Sequence, residues 1–265
     1  MAGDAVRIEL FDTHAHLDQP EFNDDRVEVV SRARAAGVEN IIAIGISAET
    51  SQACIQLAAE FAGVHAAVGM QPNYLAESQP GDWDRVVAML DEPGVVAIGE
   101  SGLDRYWDFT PFDQQQDYFD RHLRLSQERG LPFIVHMRDC DEDILVMLRE
   151  AHQRGPLTGV MHSFTGSRAM MEECVAMGLY ISFAGMVTFK KSGELRAIAA
   201  AVPEDRILVE TDSPYLTPEP VRKVQRNEPA HVRHTAACLA EVRATTLEEF
   251  AALTTANAKR LFLRE

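Results

Sequence analysis

The sequence predicts a single α/β domain folded as a TIM-like (β/α)8 barrel, and three observations carry that expectation. The chain has 265 residues, and a closed barrel of alternating strands and helices takes about 250. Short apolar runs of β type alternate with helical stretches along the chain, with no Pro/Gly/Ser linker, low-complexity tract or charge block to divide it. The runs are uniformly apolar rather than alternating, as strands buried on both faces of a parallel sheet should be. An open doubly wound sheet is the alternative, but eight strand–helix units in one domain favour closure.

Strands are expected at Ile8–Asp12, Asn40–Gly45, His65–Gly69, Val95–Gly99, Pro132–His136, Gly159–His162, Tyr180–Phe183 and Ile207–Thr211. Helical stretches separate them. Asp24–Ala36 stops at Gly37, a residue that tolerates the left-handed turn ending many helices. Ser47–Phe61 opens on a capping residue and ends near Gly63. Gly81–Leu90 is short, and Gln114–Arg129 ends at Gly130. Asp141–Gln153, Arg168–Met177 and Glu194–Ala201 continue the alternation, and His231–Ala244 and Leu247–Leu261 close the chain.

Composition narrows the function. No apolar run approaches the ~20 residues of a membrane span, and Met1–Leu10 lacks the basic start and apolar stretch of a secretory leader. Four scattered cysteines without a CxxC pair read as buried thiols of a cytoplasmic protein. The net charge of −16 argues against non-specific nucleic-acid binding, which needs clustered Lys and Arg. It leaves room for an enzyme that touches a few phosphates in one cleft, and nothing in the sequence calls for an obligate protein partner.

Polar residues collect where the apolar strands end. The first strand runs into His14-Ala15-His16, the fourth into Glu100, the fifth ends on His136, the sixth on His162, and the eighth leads through Thr211 to Asp212. In a closed barrel all the C-terminal strand ends share one rim, so residues about 200 apart in sequence can face one cavity. In extended backbone, side chains at i and i+2 share a face, so His14 and His16 can hold one ion together. Imidazole with carboxylate suits Zn²⁺, Mn²⁺, Fe²⁺, Co²⁺ or Ni²⁺, whereas Mg²⁺ favours a set richer in carboxylate. Four histidines and two carboxylates exceed one tetrahedral site, and they can hold two ions if one carboxylate bridges, with Glu100 the natural bridge. Singly, each has a plainer explanation: an isolated strand-end histidine is usually structural, and Asp212-Ser213-Pro214 is a common turn starter. Jointly the six are hard to account for without a cation to offset their desolvation. The other histidines read as structural: His122 and His152 within helices, His65 at the opposite rim, His231 and His234 on a late helix.

The runs FDTHAHLD (11–18), VVAIGESGLDRYWD (95–108), PFIVHMRD (132–139), GVMHSFTG (159–166) and RILVETDSPYLTP (206–218) resemble the TatD family of metal-dependent deoxyribonucleases. So do ISFAGMVTFKKS, RNEPAHV and ANAKRLF, and the resemblance spans essentially the whole chain. It implies a barrel of the amidohydrolase type with two divalent ions, Zn²⁺, Mg²⁺ or Mn²⁺. His14, His16, Glu100 and Asp212 would ligate one ion, and Glu100, His136 and His162 the other. Three positions depart from the family pattern: Gln71 stands where a substrate-side histidine is usual, Ser101 replaces an apolar residue, and PVRKVQRNEP replaces a shorter basic run before Asn227.

The reaction expected is hydrolysis of phosphodiester bonds at DNA ends, as a 3′-5′ exonuclease. Two ions roughly 3.5–4 Å apart would activate a water, with Asp212 as its general base and Glu100 between the ions. A basic rim of Arg105, Arg138, Lys190, Lys191, Arg222, Lys223 and Arg226 is expected around the cavity, interspersed with Asp104, Asp139 and Glu219. Substrate contacts are expected from Arg138, Gln71, Arg226 and Asn227. The competing reading keeps the metal site and cleaves a carbon ester or amide, for instance as a deacylase of mischarged tRNA; a non-catalytic metal-binding scaffold is the reading from another class.

Overall fold

The computed structural model describes residues 8–264. The reading of Met1–Arg7 as lacking a leader therefore lies outside the described residues. Eight parallel strands pair in sequence order: β1 (Leu10–Ala15), β2 (Val38–Ile44), β3 (Val64–Val68), β4 (Val95–Asp104), β5 (Phe133–Arg138), β6 (Gly159–Met161), β7 (Tyr180–Phe183) and β8 (Ile207–Val209). The ring nearly closes beyond β8, where Asp212 N–H donates to the His14 carbonyl at 2.9 Å and His16 N–H to the Ser213 carbonyl at 2.8 Å. These bonds, with the Ala15–Ser213 bridge, join β1 to the segment after β8. Helices α1 (Arg26–Ala35), α2 (Ala48–Glu60), α3 (Asp82–Met89), α4 (Phe112–Arg129), α5 (Asp141–Arg154), α6 (Arg168–Ala176) and α7 (Gly193–Ala201) connect the strands, and α8 (Val232–Val242) and α9 (Leu247–Ala258) follow them. The single TIM-like barrel is the architecture read from the sequence.

Local chemistry sets the boundaries. Ser47 caps α2, its hydroxyl accepting Thr50 N–H while Thr50 returns a bond to the cap. Thr246 and Glu249 form the equivalent capping box of α9. Gly130 ends α4 in the left-handed conformation. One boundary differs substantially from expectation: β4 continues five residues beyond Gly99 to Asp104, because Ser101 to Asp104 pair with Val135 to Arg138 of β5.

Two apolar layers follow from strand alternation. The barrel interior takes Phe11, Ile42, Ile44, Ala67, Ala97, Ile134, Val160, Tyr180 and Leu208, at least one from every strand. Leu261 and Phe262, from the turn after α9, join this interior cluster, and Phe262 packs on Phe11 with ring centroids 6.3 Å apart. The intervening residues, such as Ile41, Ala43, Val68, Ile98 and Val135, pack outward against the helices.

Irregularities in two strands aim the polar residues. His136 and His162 lie two residues beyond the inward Ile134 and Val160, so simple alternation directs them inward. His14 and Glu100 are out of phase with the inward Phe11 and Ala97, and regular strands would turn them outward. Register shifts between Asp12 and Ala15, and between Ile98 and Ser101, reverse the phase where it is needed. Re-aiming a side chain is what such bulges do beside active sites. The second shift needs glycine: a Cβ on Gly69 would lie 2.5 Å from the Gly99 Cα, and one on Gly102, at φ +136°, would lie 2.0 Å from the His136 carbonyl oxygen.

Candidate active site

The six side chains converge at the C-terminal end of the barrel. His14 Nε2 lies 3.3 Å from Glu100 Oε2 and 3.6 Å from Asp212 Oδ1. His16 Nε2 lies 3.7 Å from that Glu100 oxygen and 3.4 Å from that Asp212 oxygen. The two imidazole nitrogens face each other at 3.3 Å. The His14 and His16 nitrogens thus stand 3.3–3.7 Å from each other and from both carboxylate oxygens, close to the roughly 3.4 Å that separates donors placed at about 2.1 Å around one ion. Glu100 turns its other oxygen, Oε1, to a different pair: His136 Nδ1 at 3.0 Å and His162 Nε2 at 3.4 Å. Converging nitrogen lone pairs and carboxylate oxygens, nearly all removed from water, are the donor set a divalent cation compensates.

Three of the four imidazoles are oriented from behind, and His14 Nδ1 is buried without a hydrogen-bond partner. His16 Nδ1 is paired with the Ile44 carbonyl at 3.3 Å, which leaves Nε2 to face the centre. His136 Nε2 meets Asp104 Oδ2 at 3.0 Å. His162 Nδ1 meets Glu210 Oε1 at 3.3 Å, and that oxygen also accepts Ser163 N–H at 2.7 Å. Carboxylates holding the far nitrogen of an imidazole fix its orientation and raise its basicity as a ligand. Asp212 is held by its backbone, at φ +55°. A left-handed aspartate is uncommon and marks a position determined by its surroundings. Those surroundings are Asp12, which accepts Thr211 N–H at 2.8 Å, and Asn227, whose amide donates to the carbonyls of Thr211 at 3.0 Å and Tyr215 at 2.6 Å.

The protonation pattern is that of a cluster sharing charge. Burial alone would raise the Glu100 carboxyl, but the His162 charge and hydrogen bonds from His136, His14 and His162 hold it well below its usual range. Burial opposes ionisation of Asp212 too, and the His16 hydrogen bond with the neighbouring histidine charges keeps it low. Burial would neutralise His16, yet Asp212 and Glu100 push it up to about 9. His14, buried and beside His162, is pushed down. Both carboxylates are therefore anionic at neutral pH, the form that binds a cation.

A cavity of about 860 Å³ opens over this cluster, and Glu100, His136, His162 and Asp212 form part of its wall. Arg138 and Gln71 also line it. Gln71 is buried, and its side-chain oxygen is taken by Asn73 N–H at 2.7 Å. The other two expected substrate contacts do not reach the cavity. Arg226 is bound to Asp25 at 2.6 and 2.8 Å and to the Glu21 carbonyl at 2.7 Å. Asn227 is fully buried and props the Asp212 turn. Both side chains are engaged by protein partners away from the cavity wall. The basic rim is also smaller than expected. Arg105 pairs with Asp143 at 2.7 Å, Arg222 lies over Phe189, and Lys190 lines a separate depression with Arg196 and Cys238. Lys191 and Lys223 are absent from the cavity wall, which leaves Arg138 as its one Lys or Arg among the described residues.

Sequence reasoning missed the groups behind the ligands, Asp104 and Glu210, and the aromatic side chains of the cavity, Tyr74, Trp107, Phe109 and Tyr215. A signal existed for the aromatics: the run Arg105-Tyr106-Trp107-Asp108-Phe109 crowds three rings into a loop directly after β4.

A family model described as TatD related DNase matches residues 11–263. The chain belongs to the TatD family. Among TatD-type relatives, an uncharacterised metal-dependent hydrolase, YabD of Bacillus subtilis, is 41% identical over 96% of this chain and 98% of its own length. The 3′-5′ ssDNA/RNA exonuclease TatD of Citrobacter koseri is 37% identical over the same shares. The crystal structure of YjjV, a TatD homologue from Escherichia coli K12, superposes with a TM-score of 0.90 at 30% identity, over 97% of this chain and 98% of the other. The chain is accordingly a metal-dependent hydrolase of the TatD type, and among the described residues two sets of three bring ligand atoms within 4.8 Å of one another: His14, Glu100 and His162, and His14, His16 and Asp212. No described helix is long and apolar enough to cross a membrane.

Proposed function

We propose that this chain is a 3′-5′ exonuclease that removes nucleotides from single-stranded DNA or RNA ends with two divalent ions. The observation that carries the proposal is the division of Glu100: Oε2 faces His14 and His16, while Oε1 faces His136 and His162. One carboxylate addressing two separate donor groups suits a pair of ions, with Asp212 completing the first group. The nitrogen-rich donor set favours Zn²⁺ or Mn²⁺ over Mg²⁺. When bound, such ions supply Lewis acidity and a water acidic enough to ionise near neutral pH.

The chain's own residues would divide the remaining work. Asp212, anionic and at the cavity wall, accepts the proton of the attacking water. Arg138 stands at the cavity wall to neutralise a phosphoryl oxygen, and Gln71, with its carbonyl oxygen already engaged by Asn73, offers its amide group as a neutral donor. Exonuclease polarity and the choice of nucleic acid are supported by the relatives that carry the name 3′-5′ ssDNA/RNA exonuclease. The same proposal puts the chain in the cytoplasm, which suits four free thiols, three of them buried.

The test is a substrate panel run across Mg²⁺, Mn²⁺ and Zn²⁺, with metal content measured. Oligonucleotides labelled at either end, acylated tRNA and small carboxylic esters are compared at equal enzyme concentration. Stepwise shortening from the 3′ end supports the proposal. Hydrolysis of the esters or acylated tRNA, with the oligonucleotides left intact, contradicts it.

A further inference from the structure

The loop after β4 and the end of β5 set four flat groups in a row. The Arg138 guanidinium lies 3.7 Å over the Tyr106 ring. Tyr106 meets Trp107 edge-on at 4.8 Å, and Trp107 stacks on Phe109 at 5.1 Å with an 11° angle between planes. Tyr106, Trp107 and Phe109 remain 53%, 41% and 57% exposed, although side chains of this size are normally covered. Trp107 and Phe109 line the cavity over the metal ligands.

The row is fixed relative to the reacting centre. Asp104 Oδ1 accepts the N–H groups of Tyr106 at 2.8 Å and Trp107 at 3.0 Å, while Asp104 Oδ2 meets His136 Nε2 at 3.0 Å. One buried carboxylate thus holds both a candidate metal ligand and the aromatic row. Apart from the metal-site carboxylates and Asp104, which pairs with His136, the charged side chains around the cavity are Arg138, Glu77 and Asp139, so no cationic track follows a sugar–phosphate backbone there. Proteins that bind single strands combine such a track with aromatic stacking on the bases. Here the track is reduced to Arg138, and stacking is left to supply the grip.

We propose that Trp107 and Phe109, with Arg138 seated on Tyr106, form a stacking shelf for unpaired bases beside the scissile phosphate, and that this shelf selects single-stranded ends. Bases within a duplex already have both faces covered by their neighbours, whereas an unpaired end can offer a face to the shelf. The proposal rests on the nuclease reading above and adds the residues that choose the strand.

The test uses the metal-loaded protein and two strands, oligo-dT and the same strand with abasic sites at its last three positions. The double variant Trp107→Ala/Phe109→Ala should raise KM for oligo-dT about ten- to a hundredfold, from the loss of one or two stacked bases, with the loss falling on KM rather than kcat. Wild type should handle the abasic strand about as poorly as the double variant does, and the variant should no longer distinguish the two strands. Trp107→Phe should recover most of the loss.

Binding is read separately as quenching of Trp107 emission by oligo-dT in metal-loaded Asp212→Asn, with Trp83→Phe removing the second tryptophan. Quenching by oligo-dT and not by the abasic strand supports the shelf, even if wild type cleaves neither strand, in which case the nuclease reading alone fails. Equal KM for the two strands in wild type, an unchanged KM in the double variant, or absence of quenching overturns the shelf.

Discussion

The two ends of the barrel are built from the same eight strands and do opposite things. Toward the strand starts, the interior holds Phe11, Ile42 and Ala97, and Leu261 and Phe262 from the end of the chain join this packing. Toward the strand ends, the interior holds four histidines and two carboxylates beneath an open cavity. The closed end is satisfied by its own side chains. The open end gathers charges and lone pairs that its protein neighbours orient but do not fully compensate. Stability resides at the first end and chemistry at the second, the division expected of this architecture. A substitution at one end should therefore spare the property seated at the other.

The largest effect is expected at the open end. Asp212→Asn retains shape and some metal affinity but loses the proton acceptor, so turnover should fall by about 10²–10⁴, with thermal stability close to wild type. Steady-state kinetics on metal-quantified protein checks this, and a rate within a few-fold of wild type would remove Asp212 from that role. At the closed end, Phe262→Ala should cost about 3–5 kcal/mol of folding stability and leave the kcat of the folded fraction intact. Denaturant titration alongside kinetics separates the two, and a kcat that falls in step with stability would break the division.

A smaller effect links pH to the packing around the site. His122 is buried against α3, accepts Met70 N–H at 3.1 Å and is held down to about 4, chiefly by burial and then by Arg121. Its folded value is below that of the unfolded chain, about 6.5. The contribution is therefore complete above pH 6.5 and fades as pH falls toward 4, when the unfolded chain takes up the proton first. The loss should reach roughly 3 kcal/mol by the lower limit. Unfolding free energies measured over that range should fall more steeply for wild type than for His122→Gln. Parallel curves would show that His122 does not titrate in this way. Smaller still, Asp104→Asn removes the carboxylate behind His136 and should weaken metal binding about ten- to a hundredfold. Competition with a chelator measures this, and an unchanged affinity would mean that Asp104 does not steer His136.

Much of this was legible in the sequence, and the exceptions have physical reasons. Uniformly apolar runs and glycine stops mark the strands and most helices, and ligand-type residues at five strand ends mark the rim. The extent of β4 was hidden because the apolar run ends at Gly99, while pairing with β5 carries the strand to Asp104. Phase was hidden too: His14 and Glu100 face inward through bulges that no periodicity displays. Arg226 and Asn227 carry the right chemistry for a substrate, but their partners Asp25 and Thr211 lie far away or beyond a turn in sequence. Gln71 does line the cavity, and its hydrogen bond to Asn73 N–H leaves only its amide free to turn toward a ligand. The ring-rich run after β4 is visible in the sequence, but the exposure of Trp107 and Phe109 over the cavity shows only in the fold.

The most direct test of the account is the electron paramagnetic resonance spectrum and metal content of the Mn²⁺-loaded protein, compared between wild type and Glu100→Gln. Two Mn²⁺ per chain with a spin-coupled signal in wild type, and loss of that coupling with lower occupancy in the variant, is the result the account predicts. A single uncoupled Mn²⁺ in wild type, or a coupled pair that survives in Glu100→Gln, would contradict it.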